Sequence, residues 1–267
     1  MKIINFQGGL GNQMFIYVFY LWMKRTHSGE RICGSYWSGS LRTHTDFLLS
    51  SIFGVELPPH NFLTDTISHC ASIMQRLHIV SRDENEHSIF YDGFWLDRKY
   101  SEGLDLANVF KFRNVEMDER NAAVRDEIVG SNSVSLHVRR GDYYDDEHKN
   151  DFGAYCTQKY YTRAIEMELK DNPSAHFFVF SDDIEWAKAN IKVPRATFVS
   201  GNSGNDSWKD MYLMSLCRHN IIANSTFSWW AASLNKNDGR RVFYPQKWYA
   251  WENPDIFPST WTPVENV

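Results

Sequence analysis

No stretch of this chain approaches the about 18 consecutive apolar residues of a membrane span. The amino terminus reaches Gly8 and Gly9 without the apolar core of a secretory leader. Both absences predict a soluble protein. Positive charge is short as well. Lys and Arg number 28 against 33 Asp and Glu, a formal net charge of -5, whereas a general nucleic-acid binder needs a basic face to displace counterions from phosphate. Only local basic sites are left. Cysteine is scarce: Cys33, Cys70, Cys156 and Cys217 are far apart, with no Cys-x-x-Cys pair. That pattern fits neither a zinc site nor a dense disulfide framework, and it predicts reduced thiols in a cytoplasmic compartment. The dinucleotide fingerprint lacks its third glycine, because Met14 stands where the Gly9-x-Gly11 pattern requires one. A nicotinamide enzyme is disfavoured.

What is present suits one large or two modest domains: 267 residues, 43% of them hydrophobic. Lys2 to Phe6 reads as a strand. A glycine-rich turn, Gln7 to Gln13, and an apolar helix from Met14 to about Lys24 follow. Gly9 and Gly11 in that turn would let backbone amides approach an anion at the helix amino terminus. From Gly29 to about Pro59 no period emerges. Thr66 to Val80 has helical spacing, Ser88 to Trp95 reads as a strand, a helix follows near Leu104, and Glu116 to Val129 reads as a charged helix. The domain expectation is residues 1–125 and 126–267.

After that the rhythm is regular. Strands are expected at Ser133–Val138, His176–Phe180, Ala196–Val199, Asn220–Ala223 and Arg241–Tyr244, with helices between them. The fold class is therefore α/β with a parallel sheet, and such sheets bind ligands beyond the carboxyl ends of their strands. Polar clusters fall at those ends. The strand at 133–138 delivers Arg139, Arg140, Gly141 and Asp142, and planar guanidinium forks suit a diphosphate. The next strand ends in Ser181-Asp182-Asp183, a carboxylate pair able to accept the ring N–H and exocyclic amine of guanine. Another ends in Asn224-Ser225-Thr226, whose amides and hydroxyls at a helix start suit a further phosphate oxygen. Plainer readings stand beside these. The arginines could be exposed ion pairs, Asp183 and Ser225 could be helix N-caps, and the acidic residues, with Asp142, Asp145 and Asp146, could hold a divalent metal.

Taken together, Gly8-Gly9-Leu10-Gly11-Asn12-Gln13-Met14-Phe15, His137-Val138-Arg139-Arg140-Gly141-Asp142-Tyr143, Phe180-Ser181-Asp182-Asp183 and Asn224-Ser225-Thr226-Phe227-Ser228-Trp229-Trp230 resemble the α-1,2-fucosyltransferase family. The His-x-Arg-Arg-x-Asp element alone is shared with α-1,6- and protein O-fucosyltransferases. The resemblance implies a GT-B-like fold, two Rossmann-like domains facing across a cleft: a reduced, acceptor-side first domain with the glycine-rich loop, and a second that binds GDP-fucose and carries the C-terminal tail. It implies inverting, metal-independent transfer of L-fucose from GDP-β-L-fucose to the 2-hydroxyl of a terminal β-galactose, with GDP-fucose as a donor substrate and no cofactor. It also implies that His137 and Asp183 face guanine, that Arg139 grips the diphosphate, and that Asn12 faces the donor. Asp142, tethered three residues beyond Arg139, is the candidate base. The membrane anchor of animal relatives is absent, which suggests a cytoplasmic bacterial enzyme of surface-glycan assembly. The rival class is a nonenzymatic nucleotide- or glycan-binding module, favoured by the Arg140-Gly141-Asp142 tripeptide and the aromatic run Trp248-Tyr249-Ala250-Trp251.

Overall fold

The computed structural model describes residues 1–36, 47–76, 88–141, 149–153 and 155–266. The chain divides into two compact units, Met1–Asn114 and Val115–Val267. The division falls before the expected 125/126 position, because the helix spanning that position packs against a helix of the second unit.

In the first unit the elements are β1 (Lys2–Asn5), α1 (Leu10–Thr26), β2 (Ile32–Ser35), α2 (Leu49–Phe53), α3 (Phe62–Arg76), β3 (Phe90–Tyr91) and α4 (Leu106–Val109). The three strands form a small parallel sheet in the order β2-β1-β3. β1 is buried along its whole length, and α1 is buried on most of its faces. That is the behaviour of a helix that is apolar nearly all round. Phe19 of α1 stacks on Trp95 with centroids 3.9 Å apart. Lys2 is buried at the other end of β1 because its ammonium donates to the Tyr91 hydroxyl at 3.0 Å and the Ser88 carbonyl at 3.3 Å.

The second unit runs α5 (Glu119–Val129), β4 (Ser133–Val138), α6 (Gln158–Asp171), β5 (His176–Ser181), α7 (Ile184–Asn190), β6 (Ala196–Val199), α8 (Trp208–Leu216), β7 (His219–Ile221), α9 (Thr226–Leu234), β8 (Val242–Pro245) and β9 (Thr262–Val264). Its six strands are parallel, in the order β6-β5-β4-β7-β8-β9. α5 is the helix that packs on α8. Asn121 at its start exchanges side-chain amide bonds with Asn202 after β6, both 2.9 Å. Val134, Leu136 and Val138 alternate toward the core that α6 covers with Tyr160, Tyr161, Ala164 and Ile165. Among the described residues no helix is long and apolar enough to cross a membrane. All four cysteines are free thiols, three of them buried.

Candidate functional site

Strand order places the site. β5 and β6 lie on one side of β4, and β7, β8 and β9 on the other. The chain therefore reverses its direction of travel at β4, and open parallel sheets bind ligands beyond the carboxyl end at such a point. β4 ends at Val138, level with Ser181 of β5, and this register sets Arg139 beside Asp182. The Arg139 Nη1 lies 2.9 Å from Asp182 Oδ2, while Asp182 Oδ1 accepts from the Arg140 backbone amide at 2.8 Å. One carboxylate thus holds both the side chain of the first arginine and the backbone of the second. Gly141 permits this, since a Cβ there would stand 2.6 Å from Asp182 Oδ2.

Alternation along a strand would send Arg139 and Arg140 to opposite sides. The strand stops one residue too early for that rule to apply, and adjacent carboxylates draw both guanidiniums. Arg140 Nε donates to Asp183 Oδ2 at 3.3 Å, and its guanidinium lies 4.2 Å from the centre of the Trp186 ring. Asp183 also caps α7, accepting from the Trp186 amide at 3.1 Å. Trp186 is the site residue that sequence reasoning missed. Its signal was position alone, three residues past an N-cap. The side chains of Arg139 and Asp182 are 27% and 25% exposed, and an ion pair so wetted is worth no more than about 1 kcal/mol. So weak a pair leaves the Arg139 guanidinium able to turn to a stronger anionic partner.

His137 stands behind the arginines. It is 7% exposed, and its carbonyl accepts from the Tyr161 hydroxyl at 3.1 Å. Its ring lies 5.9 Å from Phe227 of α9. Nδ1 is buried and has no hydrogen-bond partner among the described residues. Burial, helped by the Arg139 charge, pushes the imidazole down to about 3, so it is neutral near pH 7. An unfolded histidine takes a proton below about pH 6.5 and this one does not, so its contribution is complete above that pH and is lost as pH falls toward 3. Urea unfolding at about pH 7.5 and about pH 5 should show the wild type losing on the order of 2 kcal/mol more than His137→Gln. Equal losses in the two proteins would contradict the buried, neutral state.

At the end of β7, Asn224 is almost fully buried and donates its side-chain amide to the carbonyls of Phe152 at 2.9 Å and Trp248 at 3.1 Å. Its backbone amide meets Cys156 Sγ at 3.2 Å. Asn224 therefore sets the loops around the site. Ser225 occupies the N-cap position of α9, but its side chain makes no capping bond. The capping alternative thus holds for Asp183 and not for Ser225. Thr226 opens α9. In the first unit, Gly9 precedes α1 and its carbonyl accepts from the amides of Asn12 and Gln13 at 3.0 and 3.1 Å; Gly11 is buried in the first turn. Gly8 has φ +74°, and a Cβ there would meet Asn12 Nδ2 at 2.6 Å. The left-handed turn at Gly8 is thus what makes room for Asn12. Asp142, Asp145 and Asp146 lie outside the described residues. Among the described residues no three His, Cys, Asp or Glu side chains gather as a metal set. A separate hollow, lined by Ser133, Arg218, His219, Asn237 and Asp238 among others, opens at the amino ends of β4 and β7, away from these motifs.

Known proteins resemble the chain over different shares of its length. The chain is 31% identical to an alpha-1,2-colitosyltransferase of Escherichia coli over 98% of both chains. It is 41% identical to the O-antigen biosynthesis glycosyltransferase WbnK of the same species, over 46% of this chain and 41% of that one. A human galactoside alpha-(1,2)-fucosyltransferase 1 is 32% identical over 39% of this chain and 29% of its own. Among solved structures, the fucosyltransferase NodZ from Bradyrhizobium aligns at a TM-score of 0.49 and 14% identity, over 86% of this chain and 91% of that one. The model of glycosyl transferase family 11 matches residues 84–265, the segment that carries the arginine strand, the aspartate pair and the Asn224 turn. The chain belongs to glycosyl transferase family 11, and is a glycosyltransferase of the fucosyltransferase type.

Proposed function

We propose that this protein moves L-fucose from GDP-β-L-fucose to the 2-hydroxyl of a terminal β-galactose, with inversion and without a metal, on a β-galactoside of surface-glycan assembly at the cytoplasmic side. The observation that carries the reading is Arg139, held by Asp182 at the point where the sheet reverses. The acceptor oxygen attacks the anomeric carbon from the face opposite the diphosphate. The bond to the β-phosphate oxygen breaks, and negative charge collects on that oxygen as GDP leaves. A guanidinium already in place stabilises that charge more in the transition state than in the ground state. The acceptor proton passes to a base. Asp183, in the turn after β5 and bonded here to Arg140 and the Trp186 amide, is the carboxylate placed to take the guanine end of the donor.

A second donor follows from the relative matched over its full length, which is named for colitose. Colitose is the 3-deoxy counterpart of fucose. The test offers GDP-fucose and GDP-colitose with a panel of β-galactosides, and reads mass shift and GDP release with and without EDTA. Transfer of fucose to galactose that survives chelation is the expected result. Transfer of colitose alone would reassign the donor. Loss of activity with EDTA and recovery with manganese would overturn the metal-free mechanism.

A further inference from the structure

The aromatic run Trp248-Tyr249-Ala250-Trp251 takes no part in the chemistry above, yet it is built as a platform. Tyr249 and Trp251 stack with centroids 4.9 Å apart and 21° between planes, and Phe152 meets both edge-on at 5.5 and 5.7 Å. Trp251 is nevertheless 55% exposed. A single exposed apolar side chain is ordinary, but this one is braced from several sides. Trp248, at the start of the same run, is fully buried and meets Tyr249 edge-on at 6.3 Å. Asn253 accepts from the Trp248 amide and donates to the Gln246 carbonyl, both at 2.7 Å, closing the loop on itself. Asn224 ties Phe152 and Trp248 together from the end of β7. An aromatic face fixed in this way loses little conformational freedom when something binds to it.

Its place in the sheet says what that something is. The platform follows β8, which lies two strands from β4 and on the opposite side from β5. At the usual strand spacing β8 itself lies about 10 Å from β4 and about 14 Å from β5. A donor with its base toward β5 and its diphosphate at β4 points its sugar toward β7 and β8, where the acceptor must meet it. We infer that Trp251, backed by Tyr249 and Phe152, is the stacking subsite for the acceptor's pyranose ring. β-Galactose suits it, because the axial 4-hydroxyl leaves the hydrogens on C3, C4 and C5 together on one apolar face. The subsite reading and the identity of the ring rest on the function proposed above; the aromatic platform itself does not.

The test uses the whole chain with GDP present, in the wild type, Trp251→Ala and Trp251→Phe. Trp251→Ala should raise the acceptor KM roughly three- to tenfold, the worth of one aromatic contact, and Trp251→Phe should recover most of it. The donor KM and the Kd for GDP should not move, which also certifies folding. In parallel, saturation-transfer NMR with lactose and methyl β-D-galactoside should show ring contact in the wild type that is lost in Trp251→Ala. Unchanged acceptor KM, unchanged saturation transfer, or no contact with either sugar in the wild type would each overturn the platform. Absence of turnover with GDP-fucose would sink the function reading instead, and the NMR arm would still decide the platform.

Discussion

Arg139→Lys should lower kcat roughly 10²–10³-fold, a loss of about 3–4 kcal/mol of transition-state stabilisation. An ammonium keeps the charge but not the planar, two-point grip on phosphate oxygens. The effect should fall on kcat and kcat/KM together, since on the proposed mechanism the lost contact strengthens as the glycosyl bond breaks. Arg140→Lys should behave differently. Its guanidinium is stacked on Trp186 and paired with Asp183, so losing it should cost chiefly the anchoring of α7 to the turn after β4, with a smaller fall in kcat. Steady-state kinetics of the two variants side by side, with thermal melts to check folding, decides the matter. Should Arg139→Lys keep most of its activity while Arg140→Lys loses it, the diphosphate belongs to Arg140.

Asn224→Ala should be the most damaging single change to stability near the site. Its amide serves two backbone carbonyls, that of Trp248 buried and that of Phe152 half-buried. Each orphaned buried acceptor costs about 1–3 kcal/mol. A total on the order of 3 kcal/mol corresponds to a fall in Tm of about 6–12 °C for a chain of this size. Asn224→Asp should be no better, because a carboxylate has only acceptors to offer two carbonyls. A melt within about 1 °C of the wild type would show that water serves those carbonyls as well as the amide does.

Much of the second unit was legible because its strands are short, apolar and separated by helices with clear starts. The buried run at Val134, Leu136 and Val138 and the cap at Asp183 were both readable from residue type. β9 was not. Its three residues include Pro263, and its place follows from pairing with β8 rather than from any period of its own. β2 was equally hidden, since Cys33-Gly34-Ser35 carries no strand pattern and is made a strand by β1. The expected strand at Ser88 to Trp95 shrinks to Phe90–Tyr91 because Gly93 and the turn at Trp95 end it. At the site, residue types announced arginines and aspartates at strand ends. Their mutual pairing was invisible, because it depends on Val138 lying level with Ser181, and register between parallel strands is not written in either strand alone.

The central position of β4 also bears on how the molecule assembles. Its pairing with β5 joins residues 43 positions apart, from Ser133 to His176, whereas Asn220 of β7 reaches Ser135 across 85 positions. A doubling of loop length adds only about 0.6 kcal/mol of closure entropy, so the delay before β7 arrives is one of order in the chain more than of cost. Until it docks, β4 offers a free edge of six residues that the finished protein buries completely, and an uncovered apolar edge is a template for another chain. The strand that leads into Arg139 and Arg140 is, in the half-assembled molecule, an adhesive margin.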